Sequence, residues 1–137
     1  MNIGSILQTI CYFILLAYRR AEDEQQLAHL SYYDTLTSFY NRNRYIEDMQ
    51  RMTGKEGSVG IVYLDVNGLK DINDRYGHAF GDKILTVCAE RMKQVFQEGS
   101  FYRVGGDEFV IICPDVEEAE FRDIIQKLKD TFNREEC

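Results

Sequence analysis

The sequence lacks paired cysteines, internal repeats, low-complexity segments and any excess of basic residues. Its four cysteines, Cys11, Cys88, Cys113 and Cys137, include no C-x-x-C pair, which argues against a zinc site and favours reduced structural thiols. A net charge of −7 argues against a general nucleic-acid-binding protein. The 137 residues, 45% hydrophobic and 28% charged, predict one folded domain with a core and exclude wholesale disorder.

An apolar run occupies residues 3–18, and Arg19 and Arg20 follow it directly. A transmembrane helix needs roughly 17–25 residues, so this slightly short run predicts a membrane span within residues 1–20, with the arginines at its cytoplasmic end. A signal peptide is less favoured, because no basic residue precedes the run and no small-residue cleavage site follows it. The alternative is an amphipathic coiled-coil helix that pairs two copies of the chain.

The remaining sequence predicts a helical connector at residues 21–33 and one α/β domain at residues 34–137. Hydrophobic periodicity and turn residues predict its elements in chain order. These are a helix at 41–52, a buried strand at 59–64, a polar loop at 66–77, a helix at 82–96, strands at 101–104 and 109–113, and a helix at 116–132. Gly105-Gly106 between the last two strands indicates a hairpin. The order predicts an α+β sandwich, with helices flanking a mixed sheet.

Acidic residues stand at two strand ends. Asp65 follows the first predicted strand, and Asp107 and Glu108 lie at the tip of the Gly-Gly hairpin. If the hairpin pairs beside the first strand, the three acids converge, and clustered carboxylates of this kind suit Mg²⁺ and bound phosphates. This arrangement favours metal-assisted phosphoryl or nucleotidyl transfer. Read one by one, the same residues are also typical of an ordinary strand cap and an ordinary hairpin, and both interpretations stay open at this point.

Three motifs together resemble one family. Residues 105–109 read GGDEF, residues 64–82 read LDVNGLKDINDRYGHAFGD, and residues 34–45 read DTLTSFYNRNRY. In this order they resemble the GGDEF domain, the bacterial module that joins two GTP molecules into cyclic di-GMP. The resemblance implies a fold like that of nucleotide cyclases and polymerase palms, preceded here by the N-terminal helix.

The resemblance also assigns roles to individual residues. Asp65 and Asp107, with the backbone carbonyl of Val66, match the ligands of Mg²⁺ or Mn²⁺, and Glu108 matches a further catalytic acid. Among the substrate-binding positions, Lys70 matches a phosphate contact. Two more residues, Asn73 and Asp82, match the residues that hydrogen-bond guanine, and Asp34 and Arg42 resemble structural residues that fix the connector to the domain.

The implied function is diguanylate cyclase activity, in which two GTP yield cyclic di-GMP and two pyrophosphates in a homodimer, without nucleic acid. The resemblance places the domain in the cytoplasm, anchored to the inner membrane if the predicted span exists. Family members continue into another strand and a basic helix, whereas this sequence stops at Cys137. The domain is therefore expected to lack that segment, so that its turnover would be weak or silent. The alternative function is a catalytically silent GTP-binding or dimerising regulatory domain. The family's inhibitory R-x-x-D site is absent, because Phe96 and Gly99 occupy its positions.

Overall fold

A computed structural model of the chain describes residues 2–133. Cys137 and the last residues of the predicted domain at 34–137 lie outside the described residues. The chain divides into two compact units, one ending at Ser31 and the other beginning at Tyr32.

The first unit consists of one long helix. Helix α1 spans Ile3–Tyr32, and residues 21–32 continue it without a break. None of the helices in the described part of the chain is long and apolar enough to cross a membrane, so the predicted span is not supported. The apolar run at residues 3–18 contains the small or polar residues Gly4, Ser5, Gln8 and Thr9. The charged residues Arg19 and Arg20 follow it directly.

The second unit is a four-stranded sheet with helices on both faces. Its elements are β1 (Tyr40–Asn41), α2 (Arg42–Met52), β2 (Val59–Asp65), α3 (Leu69–Tyr76), α4 (His78–Val95), β3 (Ser100–Arg103), β4 (Glu108–Pro114) and α5 (Glu118–Asn133). The strand order is β1-β3-β4-β2, where β1 runs parallel to β3 and the other pairs are antiparallel. The predicted α/β class, with a mixed sheet flanked by helices, is confirmed.

The alternating direction of the β4 side chains divides the core into two layers. Phe109, Ile111 and Cys113 point to the layer formed with α4 and α5, and Val110 and Ile112 point to the opposite face. The first layer also holds Val62, Leu85, Ala89, Met92, Phe96 and Leu128. On the second face, Tyr102 packs beside Tyr45 and Met49 of α2. Because successive strand residues point to opposite faces, a fully buried central strand reads as a continuous apolar run.

Helix α2 begins where the sequence predicts a helix. Asn41 is the N-cap, and its side-chain oxygen accepts a hydrogen bond from the Arg44 backbone N–H, so one of the unpaired amides of the first turn is satisfied. Asp48, one turn further on, accepts hydrogen bonds from the Arg44 side chain and from the Tyr102 hydroxyl at 2.6 Å. The helix is thereby fixed to the sheet.

The predicted polar loop at 66–77 is wrong over most of its length, because residues 69–76 form α3. The two glycines that suggested a loop are the caps of this short helix, since Gly68 and Gly77 both have positive φ. The next helix, α4, begins at His78 and not at residue 82. Strand β1, which has only two residues, was not predicted.

Candidate active site at the ends of β2 and β4

The strand pairing brings the predicted acids to one end of the sheet. Asp65, the last residue of β2, is the register partner of Glu108, the first residue of β4. The backbone N–H of Val66 donates to the Asp107 carbonyl oxygen at 2.8 Å, so the pairing continues one step into the hairpin turn. The condition under which the acids would converge, a hairpin paired directly beside the first strand, is therefore met.

Desolvation and the neighbouring acids both act on the pKa of Asp65. Its pKa lies above the ordinary value because water is partly removed from its carboxyl, and because Asp107 adds both a negative charge and a side-chain hydrogen bond. Glu108 adds a further negative charge. A carboxylate that resists ionisation beside two others is stabilised when a cation is bound among them.

Tyr63 and Gly105 both lie next to the Glu108 carboxylate. The Tyr63 hydroxyl donates to Oε2 of Glu108 at 2.7 Å. A Cβ added at Gly105 would stand 2.9 Å from the same oxygen, so the first glycine of the turn leaves the space that this carboxylate needs. The sequence interpretation missed Tyr63. Period-two alternation could have found it, because residues two apart on a strand share a face and Tyr63 precedes Asp65 by two.

Arg103 forms hydrogen bonds both to the hairpin turn and to Asp34. The Nη2 atom of Arg103, at the end of β3, donates to the Gly106 carbonyl oxygen at 2.8 Å, and Nη1 donates to both oxygens of Asp34. Asp34 also accepts hydrogen bonds from the backbone N–H and the hydroxyl of Thr37. The contacts of Asp34 thus run to the hairpin through Arg103, whereas Arg42 is the exposed first residue of α2.

The predicted nucleotide contacts lie on two successive helices. Lys70 and Asn73 are on α3, which is separated from the end of β2 by only three residues, and Asp82 is on α4. Lys70 and Asp82 are exposed, while Asn73 is half-buried. The side-chain oxygen of Asn73 is buried without a hydrogen-bond partner in the described part of the chain.

The donor chemistry at the strand ends fits a magnesium ion. Mg²⁺ commonly uses one or two carboxylates together with substrate phosphates, and Asp65 and Asp107 lie within hydrogen-bonding reach of each other. Within residues 2–133, no group of three or more acidic, histidine or cysteine side chains has the geometry of a metal site. Two carboxylates are enough for such an ion when substrate oxygens supply further ligands.

A cleft of about 700 Å³ opens beside Asp65. Asp65, Val66 and Asn67 line it together with side chains of α4 and α5, many of them apolar. Another cleft, of about 680 Å³, is lined by none of the predicted site residues. Only Asp65 and Val66 connect the first cleft with the candidate site, because the other predicted site residues do not line it.

The sequence is similar to several known proteins. It is 35% identical over 137 aligned residues to the signalling protein YkoW of Bacillus subtilis, covering 92% of this chain and 17% of that protein. It is 36% identical over 95 residues to the diguanylate cyclase VdcA of Vibrio cholerae, covering 66% of this chain and 28% of that protein. The chain thus spans less than a third of either relative.

The fold is similar to that of a solved structure, the coiled coil and GGDEF domain of DgcB from Caulobacter crescentus in complex with c-di-GMP. The TM-score is 0.81 at 21% identity, covering 90% of this chain and 68% of that one. The family described as "Diguanylate cyclase, GGDEF domain" matches residues 31–136. The three acids at the ends of β2 and β4 stand within that match, and the chain belongs to the GGDEF domain family.

Proposed function

We propose that this domain is a diguanylate cyclase that condenses two GTP molecules to cyclic di-GMP and releases two pyrophosphates. The observation that carries the proposal is the meeting of Asp65, Asp107 and Glu108 at paired strand ends, in a chain of the GGDEF family. In the reaction, the 3′-hydroxyl of each GTP attacks the α-phosphate of the other. Two P–O bonds form and two pyrophosphates leave, so two nucleotide-loaded copies must face each other as a homodimer.

The chain's own residues would position the nucleotide. Asp82 can accept hydrogen bonds from the N1 and N2 hydrogens of guanine, and the Asn73 amide can pair with a ring nitrogen or O6. Lys70 can bind phosphate oxygens as a cation. Because positioning and charge stabilisation dominate nucleotidyl transfer, these contacts would set both affinity and turnover. Since GTP is an intracellular nucleotide, we place the domain in the cytoplasm.

Asp65, Asp107 and the Val66 carbonyl would hold Mg²⁺, or Mn²⁺ in its place. Bound there, the ion would offset phosphate charge and lower the pKa of the attacking hydroxyl. Glu108 is next to Asp107 in the chain and has one oxygen hydrogen-bonded to Tyr63, which would orient its carboxylate in the site.

The test is turnover with GTP and Mg²⁺, with products separated by chromatography and identified by mass. We expect cyclic di-GMP from the unaltered chain, and losses on the order of 10²–10³ in rate for D65N and D107N. D123N, which changes an exposed acid on α5, is the matched control and should leave the rate unchanged. The melting temperature of each variant is measured alongside the rate, so that a lost rate can be told apart from unfolding.

A second candidate function is GTP binding without turnover, as in a regulatory domain. It rests on the predicted nucleotide contacts at Lys70, Asn73 and Asp82, which stand on α3 and α4 and not on the strand ends that carry the acids. Calorimetric titration with GTP and Mg²⁺ separates the two candidates. Binding without any cyclic di-GMP supports the second function and overturns the first.

A further inference from the structure

Gly81 and Asn73 are brought together by the corner between α3 and α4. The Gly77 backbone N–H donates to the Asn73 carbonyl oxygen at 2.8 Å, and the Gly81 N–H donates to the Gly77 carbonyl oxygen at 3.3 Å. Residues four before and four after the corner therefore lie side by side. Gly81 is buried at this junction, in the first turn of α4.

Gly81 has no room for a side chain. An added Cβ would overlap the side-chain oxygen of Asn73 and would stand 2.9 Å from its Cγ and 3.3 Å from Cδ1 of Leu69. The backbone of Gly81 is helical and does not lie in the left-handed region, so any residue could adopt it. Glycine weakens a helix relative to alanine, so helix stability does not explain a glycine at this position. What glycine provides here is a notch, the space beside Asn73 and Leu69 that a side chain would fill.

The amide of Asn73 occupies this notch. Its side-chain oxygen is buried and has no hydrogen-bond partner within residues 2–133. Leaving a buried acceptor unpaired is unfavourable. Because this oxygen makes no hydrogen bond among the described residues, hydrogen bonding of the oxygen does not explain why the amide is held there. The shape of the notch orients the side chain instead.

We propose that Gly81 is a positioning residue of the nucleotide site, because its missing side chain seats the Asn73 amide in the orientation that meets guanine. The inference rests on the proposed function, in which Asn73 and Asp82 contact the base. Asp82 follows Gly81 directly in the chain, so the notch and the second guanine contact belong to one helical turn. Gly81 itself touches no nucleotide.

The experiment compares G81A, N73A and the double variant G81A/N73A. Affinity is measured by calorimetry with Mg²⁺ and a GTP analogue that carries a methylene between the α- and β-phosphates, which blocks turnover. The side-chain NH₂ signal of Asn73, identified by its loss in N73A, is followed by ¹⁵N NMR. G4A is the matched control, because it makes the same change in a helix where the nearest other atom lies 3.8 Å from the added Cβ.

We expect G81A to move the Asn73 signal and to weaken binding about tenfold, similar to N73A, because one hydrogen bond to the base is lost. The double variant should bind no more weakly than N73A, and G4A should match the unaltered chain. If G81A lowers the melting temperature, N73A should restore it in the double variant by removing the overlapping atoms.

An unmoved Asn73 signal in G81A, or losses of affinity that multiply in the double variant, would overturn this inference alone. Absence of nucleotide binding by the unaltered chain would overturn the proposed function, and the guanine-binding part of this inference with it. The two failures are thus distinguishable.

Discussion

Arg103 and Asp34, 69 positions apart in the sequence, form an ion pair in which one guanidinium nitrogen contacts both carboxylate oxygens at 3.1 and 3.2 Å. The other terminal nitrogen of Arg103 holds the Gly106 carbonyl oxygen. The Arg103 side chain thus joins Asp34, at the start of the predicted domain, to the turn that carries Asp107. The geometry depends on a planar group that presents several donors at once, which lysine cannot reproduce.

We therefore predict that R103K destabilises the domain. Both side chains of the ion pair are mostly buried, so weakening it should cost about 2–3 kcal/mol in the free energy of unfolding. R122K is the control, because Arg122 pairs with Glu118 on an exposed helix face and should lose less than about 0.5 kcal/mol. Urea unfolding measures both values, and equal losses would contradict the prediction.

The same ion pair predicts how stability depends on pH. Burial acts to raise the pKa of Asp34, but the hydrogen bonds from Thr37 and the charge of Arg103 outweigh it and hold the pKa below the ordinary value of 3.8. A lowered folded-state pKa contributes stability that is fully present above the unfolded pKa and is lost as the pH falls through the folded value.

D34N should accordingly be less stable than the unaltered chain at pH 7, and the difference should narrow as the pH falls below about 3.8. Unfolding free energies measured from pH 7 to pH 2 give the comparison. A difference that stays constant over this range would show that the charge of Asp34 does not matter.

Tyr63 should affect catalysis more than stability. Its side chain is 58% exposed and its hydroxyl donates to Glu108, so Y63F removes one oriented hydrogen bond and little packing. We expect turnover with GTP and Mg²⁺ to fall by about tenfold, with a nearly unchanged melting temperature. Y76F, at an exposed tyrosine on α3, is the control. Full activity in Y63F would mean that Glu108 needs no such support.

Ser38 has an unfavourable backbone conformation. Its φ of 65° lies in the left-handed region, which residues with a Cβ rarely adopt. S38G should raise the free energy of unfolding by up to about 1 kcal/mol. S38A, which removes the hydroxyl and retains the Cβ, should bring no gain. Denaturant midpoints test both, and a less stable S38G would contradict the prediction.

Product inhibition should be absent at the family's usual site. Phe96 is buried in the core, and neither it nor Gly99 offers the charges of the R-x-x-D pattern. Titration of cyclic di-GMP into an active preparation should therefore leave the maximal rate unchanged. Strong non-competitive inhibition would reveal a binding site elsewhere on the domain.

Much of the fold follows from local patterns in the sequence. A buried strand, a Gly-Gly hairpin and amphipathic helices with one apolar face are short-range features, and each predicted strand and helix of the domain is found within a few residues. Helix α3 was predicted as a loop, because it is short and polar and because its two capping glycines are also typical of loops. The predicted membrane span was not supported, because its apolar run is short and interrupted.

For the candidate site, the acids could be predicted from the sequence, since Asp65 ends a strand and Asp107 lies in a hairpin turn. The contacts around these acids could not be predicted, because they form between different elements of the fold. The contacts of Tyr63 with Glu108, of Arg103 with Asp34 and of Asn73 with the notch at Gly81 join different elements. Such contacts depend on strand register and on how one helix packs against the next, and the pattern within a single strand or helix does not specify these.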